Sequence, residues 1–321
     1  MSFALPDHWV WDFWLADDGE TYHMFYLHAP KSLGHPDLRH RNARIGHATS
    51  QDLVNWQAHG RIFEPGPAGS FDDTGNWTGS VVRGPDGRWR LFYTGSRFVS
   101  PDTNVNIETI GCAVSDDLHT WEKLPGTVLS ADKRWYETLG SSDWPEEAWR
   151  DPWVFRHGGR WQMLITARAN HGALMGRGII GHAISDDMED WQVQPPLSGI
   201  DAGFAHLEVP QIVAVKGETF LIWCCDSSRL SGRLGGQMGG IWAVATADPL
   251  GPFEIEAATL VTPDTLYAGR VAFTREGQAV LLAFTNVSAA GTFLGSVSDP
   301  MPLEVRRGAD GRPMLARVGQ P

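Results

Sequence analysis

One motif recurs along this chain and limits its fold more than any other feature. The segment RIGHATSQDLVNW at 44–56 returns as TIGCAVSDDLHTW at 109–121 and as IIGHAISDDMEDW at 179–191. Weaker copies follow at 240–249 (GIWAVATADP) and 294–300 (LGSVSDP), which makes five. Ahead of each copy lies an apolar run opened by a glycine turn: Gly19 to His28, Gly87 to Ser96, Gly159 to Arg168, Gly217 to Asp226 and Gly277 to Asn286. A further β-rich run precedes each of those, at Trp9 to Ala16, Trp77 to Arg83, Trp149 to Arg156, Leu207 to Val215 and Tyr267 to Thr274. Each unit therefore reads as strand, glycine hairpin, strand, loop, strand, Asp-rich turn, and a last strand beginning near a tryptophan.

Short β-rich runs separated by turn residues, repeating every 55 to 70 residues or roughly so, are the signature of four-stranded propeller blades. No helical period is sustained anywhere, which counts against a TIM barrel or a doubly wound sheet. The long repeat disfavours a β-helix, and the five-fold count disfavours a two-sheet sandwich. The expectation is an all-β chain forming a single five-bladed β-propeller over 1–321, with a central active-site funnel and no residues left for a C-terminal β-sandwich. Its blades fall at roughly 9–66, 76–130, 148–198, 206–258 and 266–318. Whether the residues before His8 or the tail from Leu303 close the ring is left open.

Composition narrows the ligand. Lys+Arg 26 against Asp+Glu 38 gives a formal charge of -12, which argues against nucleic acid or an anionic membrane as partner and favours a small neutral or cationic ligand. The three cysteines, Cys112, Cys224 and Cys225, are too few and too oddly placed for a disulfide framework, and suit a reducing compartment as buried small hydrophobes. No charged leader opens the chain and no apolar run is long enough to span a membrane, so a cytoplasmic location is expected, with secretion only if a leader was removed. Nothing in the sequence fixes an oligomeric state.

Propeller geometry turns this register into chemistry. The first strand of each blade lines the central channel, so polar residues at equivalent positions converge. Asp12, inside the aromatic run Trp9 to Trp14, Asp151 and Glu208 then stand at one level on three different blades, while blade two offers Trp77-Thr78-Gly79-Ser80 and blade five Tyr267 with Arg270. Singly, each acid could end a strand or sit in an ion pair, as Asp151 could with Arg150. Together, like charges in one channel destabilise a fold unless a function retains them. Two carboxylates flanking a glycosidic bond are the minimal equipment for its cleavage, and a third can hold sugar hydroxyls and raise its neighbour's pKa. Tryptophans at the cleft, among fifteen in the chain, supply stacking surfaces for a sugar ring.

At these residues the chain resembles the five-bladed propeller glycosidases of clan J, families 32 and 68, which include invertases, other β-fructofuranosidases and fructosyltransferases. Trp11-Asp12-Phe13-Trp14 is similar to the Trp-Asp-x-Trp segment that carries the family 68 nucleophile. Trp77-Thr78-Gly79-Ser80 resembles the Trp-Ser-Gly-Ser of the fructose subsite, and Arg150-Asp151-Pro152 matches the Arg-Asp-Pro motif of the transition-state stabiliser. Glu208 falls where the acid/base glutamate sits. Family 32 usually has Asn before its nucleophile and Cys after its acid/base, where this chain has Trp11 and Val209; family 68 usually has Arg-Pro after that glutamate, where Val209-Pro210-Gln211 stands here.

The resemblance implies a retaining reaction on fructofuranosides, with hydrolysis or transfer of the fructosyl group. Asp12 would be nucleophile, Asp151 stabiliser and Glu208 acid/base, with Trp11, Trp14, Trp77, Ser80, Arg150, Gln211, Tyr267 and Arg270 binding substrate. No cofactor and no metal are implied, and His23, His28, His47 and His182 fall singly on predicted strands as core or surface histidines. Three other readings stay open at this point: an inverting arabinofuranosidase or xylosidase of the family 43 type, a phosphorylase using Arg229 and Arg270, and a sugar-binding propeller without catalysis. The long loops at 33–42, 101–107, 132–148 and 227–239 are expected around the funnel mouth.

Overall fold

The computed structural model describes residues 2–288 and 291–319 and forms a five-bladed β-propeller. Blade one comprises His8–Asp17, Tyr22–Pro30, Arg44–Ser50 and Gln57–Arg61. Blade two comprises Gly75–Arg83, Trp89–Phe98, Asn106–Ser115 and Glu122–Leu129, with the short strand Glu146–Glu147 added in parallel to its third strand. Blade three runs through Trp149–His157, Arg160–Arg168, Gly178–Ser185 and Trp191–Gln194, and blade four through Glu208–Val215, Glu218–Cys225, Gly240–Thr246 and Thr259–Pro263. In blade five, Leu266–Phe273 and Ala279–Val287 are followed by a third strand in two pieces, Phe293–Val297 and Met301–Arg307, and by Pro313–Arg317. The last strand of blade four, Thr259–Pro263, follows a 3-10 turn at Ile255–Ala257.

The repeat encodes local structure that fixes each blade. In the Asp-rich turn, Asp52 accepts hydrogen bonds from the backbone N–H of Val54 and Asn55, Asp117 from His119 and Thr120, and Asp187 from Glu189 and Asp190. The residue after each Asp takes a left-handed backbone, at φ 63° for Leu53, 64° for Leu118 and 70° for Met188. Its carbonyl receives the indole N–H of the tryptophan that ends the motif, at 3.1 Å in all three blades. The short Asp side chain satisfies backbone donors that the turn would otherwise leave unpaired. The motif's glycine has a different reason: a Cβ at Gly46 would lie 2.4 Å from the Tyr26 ring, and one at Gly111 2.3 Å from the Phe71 ring. Aromatic side chains fill the space against that strand, so no larger residue fits.

First strands stand side by side around the axis, blade one against two and so on back to one. The ring is closed by the N-terminal segment: Phe3 N–H donates to Val297 O at 2.9 Å, and Val297 N–H donates back to Phe3 O at 2.8 Å, stitching the start of the chain to blade five. Apolar cores lie between neighbouring blades, where Trp14, Trp149 and Trp223 are fully buried. The three cysteines are free and buried there. His23 and His47 are core residues but not solitary, since their rings stack with centroids 5.2 Å apart and Nδ1 of one lies 3.0 Å from Nε2 of the other. Among the described residues no helix is long and apolar enough to cross a membrane.

Candidate active site

Every first strand breaks its pairing register at the same place. The shifts fall between Trp11 and Phe13, Trp77 and Gly79, Arg150 and Trp153, Glu208 and Gln211, and Tyr267 and Arg270. Such bulges turn the chain and re-aim side chains. The residues just before them, Trp11, Trp77, Arg150, Glu208 and Tyr267, all line one cavity of about 730 Å³ at the funnel mouth. The first bulged residues, Asp12, Thr78, Asp151 and Val209, form the next layer of its lining. Asp151, Val209 and Ala268 hold φ at 56°, 55° and 48°, a left-handed conformation costing on the order of 1–3 kcal/mol for such residues and typical of places where geometry serves a site. The three acids are therefore not at one level. Asp12 and Asp151 belong to the bulged layer, and Glu208 stands one residue earlier, in the layer with Arg150.

Four residues expected to bind substrate do not reach the cavity. Trp14 is buried in the core, stacked on Phe25 with centroids 6.2 Å apart. Ser80 Oγ accepts the Val154 N–H at 3.1 Å, and Gln211 pairs both its amide atoms with the Val271 backbone, at 2.8 and 2.9 Å. Arg270, 1% exposed, donates from Nη1 to the carbonyls of Val209 at 3.1 Å and Pro210 at 2.9 Å, beneath the site. The last three are struts between blades. Past each bulge the strand resumes its alternation between neighbouring sheets, so side chains there return to the core.

The geometry around each carboxylate is specific. Asp12 Oδ2 accepts the Thr78 hydroxyl at 2.6 Å. Asp151 Oδ2 accepts Thr166 Oγ1 at 2.8 Å and the Val209 N–H at 3.1 Å, while its own N–H donates to Thr94 Oγ1 at 2.9 Å. Glu208 Oε1 receives Arg150 Nη2 at 2.6 Å, and its Oε2 receives the Tyr267 hydroxyl. Arg150 also lies 3.6 Å from Asp151 through Nε. Burial, followed by the charge of Asp151, pushes the Asp12 carboxyl up to about 6 against the opposing Thr78 hydrogen bond. Asp151 is also raised, by burial first and by Glu208. For Glu208 burial acts upward, but Arg150, His206 and the Tyr267 hydrogen bond outweigh it and hold the carboxyl below its ordinary range.

Several lining groups were not marked in the sequence. Glu146, on the two-residue strand added to blade two, lies 3.6 Å from Arg150 Nη1 and 3.1 Å from Nε2 of His206, whose imidazole is held below its ordinary pKa by burial and by the Arg150 charge. His40, kept neutral by burial with its pKa down to about 3, accepts the Trp77 indole N–H through its carbonyl at 2.9 Å. All four long loops reach the cavity, through Arg39 and His40, Asn104, Glu146, and Arg229. A sequence signal for the bulges does exist: Gly79, Pro152, Pro210 and Gly269 interrupt the first strands, where Pro or Gly marks an irregular ladder. At Gly79 the reason is plain, since a Cβ would stand 2.0 Å from Phe92 O.

Comparison with known proteins adds to this geometry. The chain is 33% identical over 211 residues to sucrose-6-phosphate hydrolase of Bacillus subtilis, a match covering 63% of this chain and 38% of that protein. It is 27% identical over 282 residues to raffinose invertase of Escherichia coli, covering 83% of this chain and 52% of the relative. The chain thus spans about half or less of the length of these curated relatives. Among solved structures, inulosucrase from Halalkalicoccus jeotgali bound to kestose superposes with a TM-score of 0.78 at 24% identity, over 98% of this chain and 89% of that one. Bacillus subtilis levansucrase superposes with a TM-score of 0.73 at 15% identity, over 100% and 88%. At such identities the likeness establishes the propeller fold. Residues 14–292 match the glycosyl hydrolases family 32 N-terminal domain, a span that holds Asp151 and Glu208 and starts two residues after Asp12. The chain therefore belongs to the family 32 glycosyl hydrolases, and with them to the clan J propellers that its first strands resemble.

Proposed function

We propose that this propeller cleaves terminal fructofuranosyl units from sucrose-type substrates by a retaining double displacement and passes them to water or to a second sugar. The observation that carries this reading is the stepped placement of the carboxylates. Asp12 and Asp151 lie in the inner layer, and Glu208 stands one layer nearer the mouth, where a leaving group would sit. In the first step the Asp12 carboxylate attacks the anomeric carbon, the glycosidic bond breaks, and Glu208 gives its proton to the departing oxygen. In the second, Glu208 takes a proton from water or an acceptor hydroxyl, which attacks the same carbon and releases Asp12. Asp151 and Arg150 hold ring hydroxyls, while Trp11 and Trp77 offer aromatic surfaces to the sugar. A cavity of about 730 Å³ falls within the range of small-ligand sites. In this reading the five blades act as one catalytic domain, and the three free, buried cysteines suit a cytoplasmic setting.

Incubation with sucrose, raffinose, kestose, levan, inulin and aryl arabinofuranosides tests the assignment. Release of fructose, or growth of fructosyl oligomers, is the expected result. Turnover of the arabinofuranosides alone would sink it.

Thr78 gives a second measurement. Its hydroxyl stabilises the ionised form of Asp12, so Thr78→Val should raise the Asp12 pKa further and move the acid limb of kcat/KM to higher pH. A loss of roughly tenfold at pH 6 that narrows above pH 7 is expected, on the order of one charge-assisted hydrogen bond. An unchanged acid limb would mean that Asp12 is not the group whose ionisation starts the reaction.

A further inference from the structure

Arg270 lies beneath the cavity, and its contacts converge on the backbone next to two of the carboxylates. Its Nη1 donates to the carbonyls of Val209 at 3.1 Å and Pro210 at 2.9 Å, the two residues that follow Glu208. Its Nε donates at the longer distance of 3.4 Å to the carbonyl of Phe13, the residue after Asp12. Blade five stands between blades four and one, so this one side chain ties the strand that carries Glu208 to the strand that carries Asp12.

The carbonyls on blade four need such a donor. That blade pairs Glu208 with Cys224 and resumes at Gln211 with Ile222, which leaves Val209 and Pro210 outside the ladder. Val209 holds φ at 55°, a conformation that a β-branched residue keeps only where its surroundings impose it. Asp151 Oδ2 on blade three accepts the Val209 N–H at 3.1 Å, and Arg270 on blade five holds the Val209 carbonyl. Gln211 returns the tie, pairing its amide with the N–H and carbonyl of Val271 at 2.8 and 2.9 Å. The turn that aims Glu208 is thus fixed from both neighbouring blades.

Burying a guanidinium costs more than burying an apolar side chain of similar size unless all its N–H groups are satisfied. Here the residue is fully buried, its Nη2 finds no hydrogen-bond partner, and the guanidinium lies 5.2 Å from the centroid of the Trp153 ring. Stability alone does not account for a cation in this place. A need to hold backbone of two other blades at a set spacing does.

We infer that Arg270 is a positioning residue for the reaction: by gripping the backbone after Glu208 and after Asp12, it sets the distance between acid and nucleophile across the bound sugar. The inference rests on the reading of those two residues as acid/base and nucleophile. Arg270 does not line the cavity, so its loss should act on the rate constant and not on affinity. Its hold on blade four is the firmer one, two short bonds against one long, so the acid should lose its place before the nucleophile does.

The test is Arg270→Met, comparing sucrose with a fructosyl fluoride, whose leaving group departs without a proton. For sucrose, kcat should fall on the order of 10^2-fold with KM changed by about twofold or less, since a displacement of about 1 Å suffices for such a loss. First-step release of fluoride, which needs Asp12 and not Glu208, should fall by only about threefold. Arg270→Lys keeps a cation within reach of these carbonyls and should show the same selective loss at smaller size; it carries the test if the methionine variant does not fold. A merely structural role lowers the folded fraction and so reduces both rates by one factor. Equal losses on the two substrates, no loss on either, or a rise in KM with kcat unchanged in a folded variant overturns the proposal. Failure of the fructoside reading looks different, because wild type would then act on neither substrate.

Discussion

Asp12→Asn is expected to lose its turnover and to gain stability. Without the carboxylate no covalent fructosyl intermediate forms, and loss of a nucleophile of this kind lowers the rate by roughly 10^4-fold or more. The stability gain follows from linkage. Asp12 is raised from 3.8 to about 6 in the folded site, so its ionised form is disfavoured there. The contribution is fully favourable only below the ordinary value, and stability is lost as pH rises through the folded pKa. Above pH 6 the wild type carries the whole penalty. Allowing for water in the cavity, which Asp12 partly faces, the relief is on the order of 2 kcal/mol, or a few degrees in Tm at pH 7. At pH 3 the two proteins should melt together. Calorimetry at both pH values checks this, and a variant less stable than wild type at pH 7 would refute the account of Asp12 as a strained, functional acid.

Glu208→Gln should also be damaging to turnover, though less so, and opposite in sign for stability. Loss of the proton donor slows cleavage of ordinary glycosides by roughly 10^2- to 10^4-fold. A fructosyl fluoride, whose leaving group needs no proton, should still react in the first step at close to the wild-type rate. Meanwhile the Glu208 carboxyl is held below its ordinary range, so its charge contributes stability above that range, lost as pH falls through the folded value. Glutamine removes that contribution, and Tm at pH 7 should drop modestly, since Arg150 keeps Glu108 as a partner. A fluoride substrate no better than sucrose for this variant would move the acid role elsewhere.

Much of the fold was legible because its signals are local. The glycine hairpins and the Ser-x-Asp turn with its tryptophan are complete within a dozen residues, and their recurrence counts the blades. What the sequence hid is set by pairs of strands or by neighbouring blades. A bulge is a mismatch between two strands, so the one-residue offset of Glu208 from Asp12 and Asp151 belongs to the strand pair and not to either strand alone. The same mismatch made Trp14 look like a wall of the site. Gln211 and Arg270 carried polar groups at funnel-facing positions but use them on backbone carbonyls and amides of adjacent blades. Glu108, Glu146 and His206 meet around Arg150 from separate segments, and no short motif reports that meeting. Ring closure by Phe3 on Val297 is likewise a pairing between opposite ends of the chain.

The five bulges also make the site modular. A register break at the same point of each first strand, one residue long in blades one and two and two residues long in the others, presents a carboxylate at 12 and 151, a hydroxyl at 78, and only apolar groups at 209 and 268. Chemistry is written in the side chain each socket carries, and a break that aims it recurs in all five blades. A change of activity therefore requires no new backbone: a carboxylate placed in the lining sockets at 78 or 209 would move charge around the funnel in steps of one blade, a fifth of a turn at a time.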